Sequence, residues 1–289
     1  MRLVSFELEG RASFGLHNGK GIIDAGTRLS ARFPDLKAVL RAGALDELRP
    51  LETLAPDYDD GEISYLPVVP NADKILCVGI NYMSHIRETG REPPEHPVLF
   101  TRFADTFVGH DCAIVRPRVS TSLDYEGELA VVIGETARHV RRDDALRYVA
   151  GYTCCNEGSV RDYQYHTIQF TAGKNFFRSG SLGPWLLTAD EHADPNRFHL
   201  QTRINGSVLQ DASVSDLCFD IPRLIEYCSI WTPLHPGDII VTGTPGGVGR
   251  VRKPPIWMKP GDTVEIEISG LGTLRNSIVD ESEKEQSAR

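Results

Sequence analysis

Apolar positions recur along this chain in two rhythms. In FPDLKAVLRAGALDELRPL, residues 33–51, Leu36, Val39, Leu40 and Leu45 fall at helical spacing. RRDDALRYVAG (141–151) and SDLCFDIPRLIEYCSI (215–230) predict two more helical stretches, the second with Asp216 as its N-terminal cap. Elsewhere the pattern is one of short runs rich in β-branched and aromatic residues, bounded by Gly, Pro or Asn. LVSFELEG, ASFGLHNGKGIID, PVLFTRF, AIVRP, ELAVVIG, PWLLTA, FHLQTRING, DIIVTGT and TVEIEISGLG all predict strands, and Ile75 to Ile80 predicts a buried one. HPGDIIVTG and KPGDTVEIE repeat a Pro-Gly-Asp turn feeding a strand, which indicates successive turn–strand units and not a repeat array.

Strand signals dominate after Pro67 and Pro70, two prolines at a change of composition. The expected class is α+β and β-rich. Residues 1–70 are read as a small α/β domain, residues 71–280 as the main domain, and the charged tail 281–289 as disordered.

Charge and cysteine usage narrow the function classes. The net charge of −9 argues against nucleic acid or an anionic membrane as partner, while leaving room for a small anionic substrate in a locally basic pocket. No apolar run approaches the ~18 residues of a membrane helix. The start, MRLVSFELEG, has acids where a signal peptide has its apolar core, so a cytoplasmic protein is expected. The six cysteines form no C-x-x-C pair, and the vicinal Cys154 and Cys155 are poorly placed for a disulfide. All six are expected to be core thiols.

Four stretches hold candidate chemistry. In LDYEGELAVVIG, Glu126 and Glu128 share one face of an extended strand, which Ala130 and Val132 continue as apolar. Two adjacent carboxylates entering a buried strand repel each other and lose hydration, a difficulty a divalent cation removes. Mg²⁺, Mn²⁺ or Ca²⁺ suits such oxygen ligands; the alternative is a solvated edge strand. In CCNEGSVRDYQ, Glu157 follows a strand and is either a third metal carboxylate or an acid at a helix start. In GINYMSHIRETG, His85 and Glu88 are three apart and can touch on a helical turn. They form either a general-base pair on a mobile lid or a surface ion pair. Arg161, Gln164 and Lys174 are candidates for a substrate carboxylate and a developing oxyanion. The glycine-rich VTGTPGGVG lacks the Lys-Ser/Thr of a phosphate loop; it either offers backbone N–H groups and the Thr242 and Thr244 hydroxyls to a small acid or makes a tight turn.

Taken in series, KILCVGINYMSHIRE, DYEGELAVVIG, GYTCCNEGSVRDYQ, GKNF…LGPW, RINGSVLQ and LHPGDIIVTGTPGGVG resemble the fumarylacetoacetate hydrolase family from about residue 74 to 280. The resemblance implies a mixed β-sandwich roll, a homodimer, and a divalent metal, usually Mg²⁺, on Glu126, Glu128 and Glu157. It implies His85 and Glu88 as a base acting on water, and Lys174, Arg161, Gln164 and Thr244 around the substrate acid. Tyr82 and Arg102 are added as expected substrate contacts. The expected reaction is hydrolysis of a carbon–carbon bond in an acylpyruvate such as maleyl- or fumarylpyruvate, with pyruvate leaving as a metal-stabilised enolate. Decarboxylation, isomerisation and sugar-acid hydrolysis or dehydration in the same family are the alternatives, and a non-catalytic metal-dependent binding protein is a third. Two positions depart from the family pattern: Glu157 stands where Asp is usual, and Phe177 replaces an Asp after the lysine motif, casting doubt on what supports Lys174.

Overall fold

The computed structural model describes residues 1–192 and 194–282; the tail expected to be disordered lies outside them from residue 283. The chain is a strand-rich mixed α/β fold built on two large sheets and a two-stranded ribbon of Leu123–Asp124 with Ser159–Val160. The larger, of eleven strands, has at its centre Gly127–Ile133, paired antiparallel with Val149–Asn156 on one side and with Ile239–Val241 on the other. Ile75–Gly79 continues it parallel to Ile239–Val241, then Val98–Thr101 antiparallel. On the opposite flank Gly180–Thr188 joins Val149–Asn156, and Arg2–Leu8 pairs with Gly180–Thr188 through Arg2↔Leu187. Residues 2–24 therefore extend this sheet. The smaller sheet has five strands, in the order Ser207–Ser213, His199–Ile204, Thr263–Ile268, Gly272–Asp280 and Ile114–Arg116. The two Pro-Gly-Asp turns thus feed strands of different sheets.

Period-two alternation places the core on both faces of the large sheet. Leu129, Val131, Ile133 and Cys154 pack with Leu200, Ile266, Leu274 and the helix Ile221–Trp231. Ala130, Val132 and Cys155 turn to the other face and meet Leu36, Val39 and Leu40 of the short helix Leu36–Arg41. The vicinal thiols are therefore split between two hydrophobic layers, and all six cysteines are free.

The helical expectations hold in part. The 33–51 stretch forms Leu36–Arg41 under an Asp35 cap, then breaks at Gly43 into 3-10 turns. Arg142–Tyr148 is a 3-10 helix, and its expected last turn, from Val149, is drawn into the strand opposite Ile133. Ile221–Trp231 begins later than predicted, capped by Asp220, with Pro222 in its first turn. Asp216 caps nothing there: its carboxylate accepts from the Ser84 N–H, at the start of a different helix. No helix among the described residues is long and apolar enough to cross a membrane.

Candidate metal and proton-transfer site

The sheet register brings the acids together. Gly127 pairs with Asn156, so the residues at the ends of these two strands, Glu126 and Glu157, become neighbours. The Glu157 N–H donates to the Glu126 carbonyl at 2.8 Å, and the Asn156 side chain accepts from the Glu126 N–H at 3.0 Å. Glu128 enters the sheet two residues on. Carboxylate oxygens of Glu126, Glu128 and Glu157 lie within 4.8 Å of one another, and all three residues are buried. The strand bearing Glu128 is internal, which removes the solvated-edge reading.

Two cations face this cluster. Lys174, ending the turn Thr171–Lys174, ion-pairs with Glu126 and reaches Glu157 at 2.8 Å. Its ammonium lies 5.0 Å over the Phe100 ring. Gly173 lets that turn sit against Arg161–Gln164: a Cβ there would come within 2.4 Å of the Gln164 nitrogen. Arg161 donates from Nε to Asp124 at 2.8 Å, from Nη2 to Glu126 at 2.7 Å and from Nη1 to Gln164 Oε1 at 2.8 Å. Three of its five N–H groups are thus used, and the Gln164 amide is left with its NH₂ to offer.

The glycine-rich loop does not present its backbone to a ligand, as expected, but to protein carboxylates. Gly243 N–H donates to Glu128 at 2.5 Å, Gly247 N–H to Glu88 at 2.9 Å and Gly249 N–H to Asp124 at 2.8 Å. Gly243 has φ +104°, and a Cβ on it would press within 2.9 Å of the Val78 carbonyl and closer still to Asn81. The Thr242 hydroxyl is spent on the Leu129 carbonyl, whereas Thr244 lines the cavity while donating to the Gly127 carbonyl. Gln210, in the RINGSVLQ motif but unassigned from sequence, binds Gly127 N–H, Thr244 and the Pro245 carbonyl and so fixes strand to loop.

The helix Met83–Glu88 closes the cavity. His85 Nδ1 lies 3.3 Å from Glu88, and the Glu88–Gly247 bond latches the helix to the loop. Ile86 is buried beneath it, His85 turns to the cavity, and Glu88 stays at the exposed rim of the pair. His85, Phe100, the three glutamates, Arg161, Gln164, Phe170, Lys174 and Thr244 enclose one cavity of about 50 Å³.

Two expected substrate contacts do not reach it. Tyr82 is fully buried at the helix start. Arg102 lies behind the cluster, donating to the Gly158 carbonyl and Ser179 and standing 3.6 Å from Glu157. Phe177 is 50% exposed and absent from the lining; Lys174 takes its support from Glu126 and Glu157.

Protonation follows from this packing. Burial works to raise Glu126, but Arg161 and Lys174 outweigh it and hold the carboxyl well below its usual range. Burial pushes Glu128 well up, reinforced by the charges of Glu157 and Glu126. Burial also raises Glu157, against the pull of Lys174. Burial tends to lower Lys174, yet Glu126 and Glu157 keep it above its ordinary value.

The donor set fits a hard divalent cation. It offers only carboxylates, and Glu157 Oε1 is buried without a hydrogen-bond partner, with Arg102 3.6 Å away. Raised pKa values on two of three clustered acids are the mark of a site short of positive charge.

Residues 74–279 match the fumarylacetoacetate (FAA) hydrolase C-terminal family model. The chain belongs to the fumarylacetoacetate hydrolase family. Among curated members, the bovine protein named oxaloacetate tautomerase FAHD2A, mitochondrial, is 39% identical over 96% of this chain and 92% of its own length. Among solved structures of the family, a fumarylacetoacetate hydrolase from Exiguobacterium antarcticum superposes with a TM-score of 0.82 at 31% identity, covering 97% of this chain and all of that one. Maleylpyruvate hydrolase from Sphingobium sp. SYK-6, solved with manganese(II) and pyruvate, gives 0.79 at 29% identity over 98% of this chain and all of that one. The mitochondrial designation of the bovine relative differs from the cytoplasmic location expected from the sequence, and it describes that protein.

Proposed function

We propose that this fumarylacetoacetate hydrolase family member is a divalent-metal enzyme that interconverts the keto and enol forms of a small 2-oxo acid of the oxaloacetate type. The observation carrying this reading is that His85, held by Glu88, and the acid cluster line one cavity of about 50 Å³. Glu126, Glu128 and Glu157 would hold Mg²⁺ or Mn²⁺. When bound, that cation supplies a fixed double positive charge and open positions for substrate oxygens.

The chain's own groups do the rest. His85, with Nδ1 held by Glu88, presents Nε2 as the base that takes a proton from the carbon beside the ketone; the enol forms when the enolate oxygen receives a proton from the resulting imidazolium or from water, and the same transfers run in reverse. Burial works to raise Glu88, but His85 and the Gly247 N–H hold it below its ordinary value, so it stays ionised beside the ring. The Gln164 NH₂ and the two unused N–H groups of Arg161 bind the carboxylate next to the ketone, and Lys174 places its charge toward the oxygen that becomes negative.

Acylpyruvate hydrolysis is the second reading, favoured by one observation: the same His–Glu pair can activate a water. Following the ultraviolet absorbance of enol oxaloacetate with Mg²⁺-loaded protein separates the two. Acceleration that falls by about 10²–10⁴ in His85→Ala supports the tautomerase. No acceleration, together with pyruvate release from maleylpyruvate, would favour hydrolysis.

A further inference from the structure

Two more arginines line the cavity, Arg91 and Arg250, and neither has an ion-pair partner among the described residues. Every other cation around the site is engaged. Arg161 and Lys174 are held by the acids, Arg102 by Gly158, Ser179 and Glu157, and Arg252 by the Leu209 carbonyl and Tyr125. Arg250 is also pre-positioned. Its guanidinium lies 5.1 Å over the Tyr165 ring, and Tyr165 lines the same cavity. Its backbone N–H donates to Asp124 Oδ2 at 3.1 Å, the oxygen that also accepts from Arg161 Nε. Arg250 Nε is buried without a hydrogen-bond partner.

A buried donor left unmade is costly, and a planar guanidinium fork matches a carboxylate in two parallel hydrogen bonds. The charges point the same way. Asp124, Glu126, Glu128 and Glu157, when ionised, are balanced formally by Arg161, Lys174 and a divalent cation. Arg250, with Arg91 at the exposed rim, is left in excess.

We propose that Arg250, assisted by Arg91, receives the second carboxylate of a dicarboxylic 2-oxo acid and sets a preference for such substrates over monocarboxylic ones. This assignment rests on the 2-oxo acid reading of the site. It makes Arg250 a specificity-determining residue, apart from the proton transfer at His85.

The test is calorimetric binding of oxaloacetate and 2-oxobutanoate to Mg²⁺-loaded protein, two ligands of equal length that differ by a carboxylate for a methyl. The unaltered protein is expected to prefer oxaloacetate. Arg250→Gln is expected to narrow that preference by about tenfold or more, and Arg250→Lys to restore part of it. An unchanged preference in Arg250→Gln, or a parallel loss of both ligands, overturns the assignment. If 2-oxobutanoate binds the unaltered protein in that case, only this assignment falls. If neither ligand binds it, the 2-oxo acid reading falls as well.

Discussion

Glu126, Glu128 and Glu157 are three carboxylates brought into a space from which water is almost excluded. Without a cation, Lys174 and Arg161 answer chiefly for Glu126, and the other two acids respond by holding their protons more tightly. Cation binding requires ionised ligands, so it must expel those protons. The sign follows directly. Glu128 and Glu157 titrate above the ordinary 4.5, so at a pH below their raised values the metal-free site is protonated, and mass action makes metal affinity rise with pH. Calorimetric titration of Mn²⁺ in buffers of different ionisation enthalpy is expected to show net proton release, growing as pH falls from neutral toward that range. Affinity independent of pH, without proton release, would contradict the assignment of these acids as ligands. At this scale the sequence was informative about which residues meet: i,i+2 spacing on a strand, i,i+3 on a turn, and an acid at a strand end. It was silent on Arg250, because the lone Arg after a glycine loop acquires meaning only through Tyr165 beneath it and the partner it lacks.

The elements hold these side chains through a small number of backbone bonds. The 242–249 loop is a hub whose N–H groups reach Glu128, Glu88 and Asp124, and so ties acid cluster, base pair and Arg161 anchor into one unit. Gly243 is its critical point, since positive φ and the close approach of Val78 and Asn81 leave no room for a Cβ. Gly243→Ala is expected to cost about 1–3 kcal/mol of stability in urea unfolding, with a matching loss of metal affinity as the Glu128 bond is displaced. Unaltered stability and metal affinity would show that the loop does not fix Glu128. Strand positions were largely legible because period-two runs and bounding glycines are local signals. Caps were not. Asp216 reads from sequence as the cap of the helix that follows it, yet tertiary packing turns it to Ser84, and Asp220 takes its place. The direction of the loop's N–H groups was equally hidden, because it depends on a strand more than 100 residues earlier in the chain.

Across the whole molecule, the large sheet sets the distance between groups that are remote in sequence. Its order places Ile75–Gly79, leading to the His85 helix, beside Ile239–Val241, leading to the loop, and that strand beside Gly127–Ile133. The base pair, the latch and the acids thus emerge at one end of neighbouring strands. Strand content and motif order made the fold class legible. Strand order was not, because each strand's partners are set by long-range register. The central claim is that a divalent cation and His85 act on the same 2-oxo acid in one cavity, whichever member of the substrate class is the natural one. The most direct measurement is proton NMR of oxaloacetate in D₂O with Mg²⁺-loaded protein, reading loss of the C3 methylene signal as hydrogen exchanges for deuterium. Exchange well above the buffer rate, abolished by chelator and by His85→Ala, is the result expected. Exchange no faster than in buffer, or undiminished in His85→Ala, would contradict it.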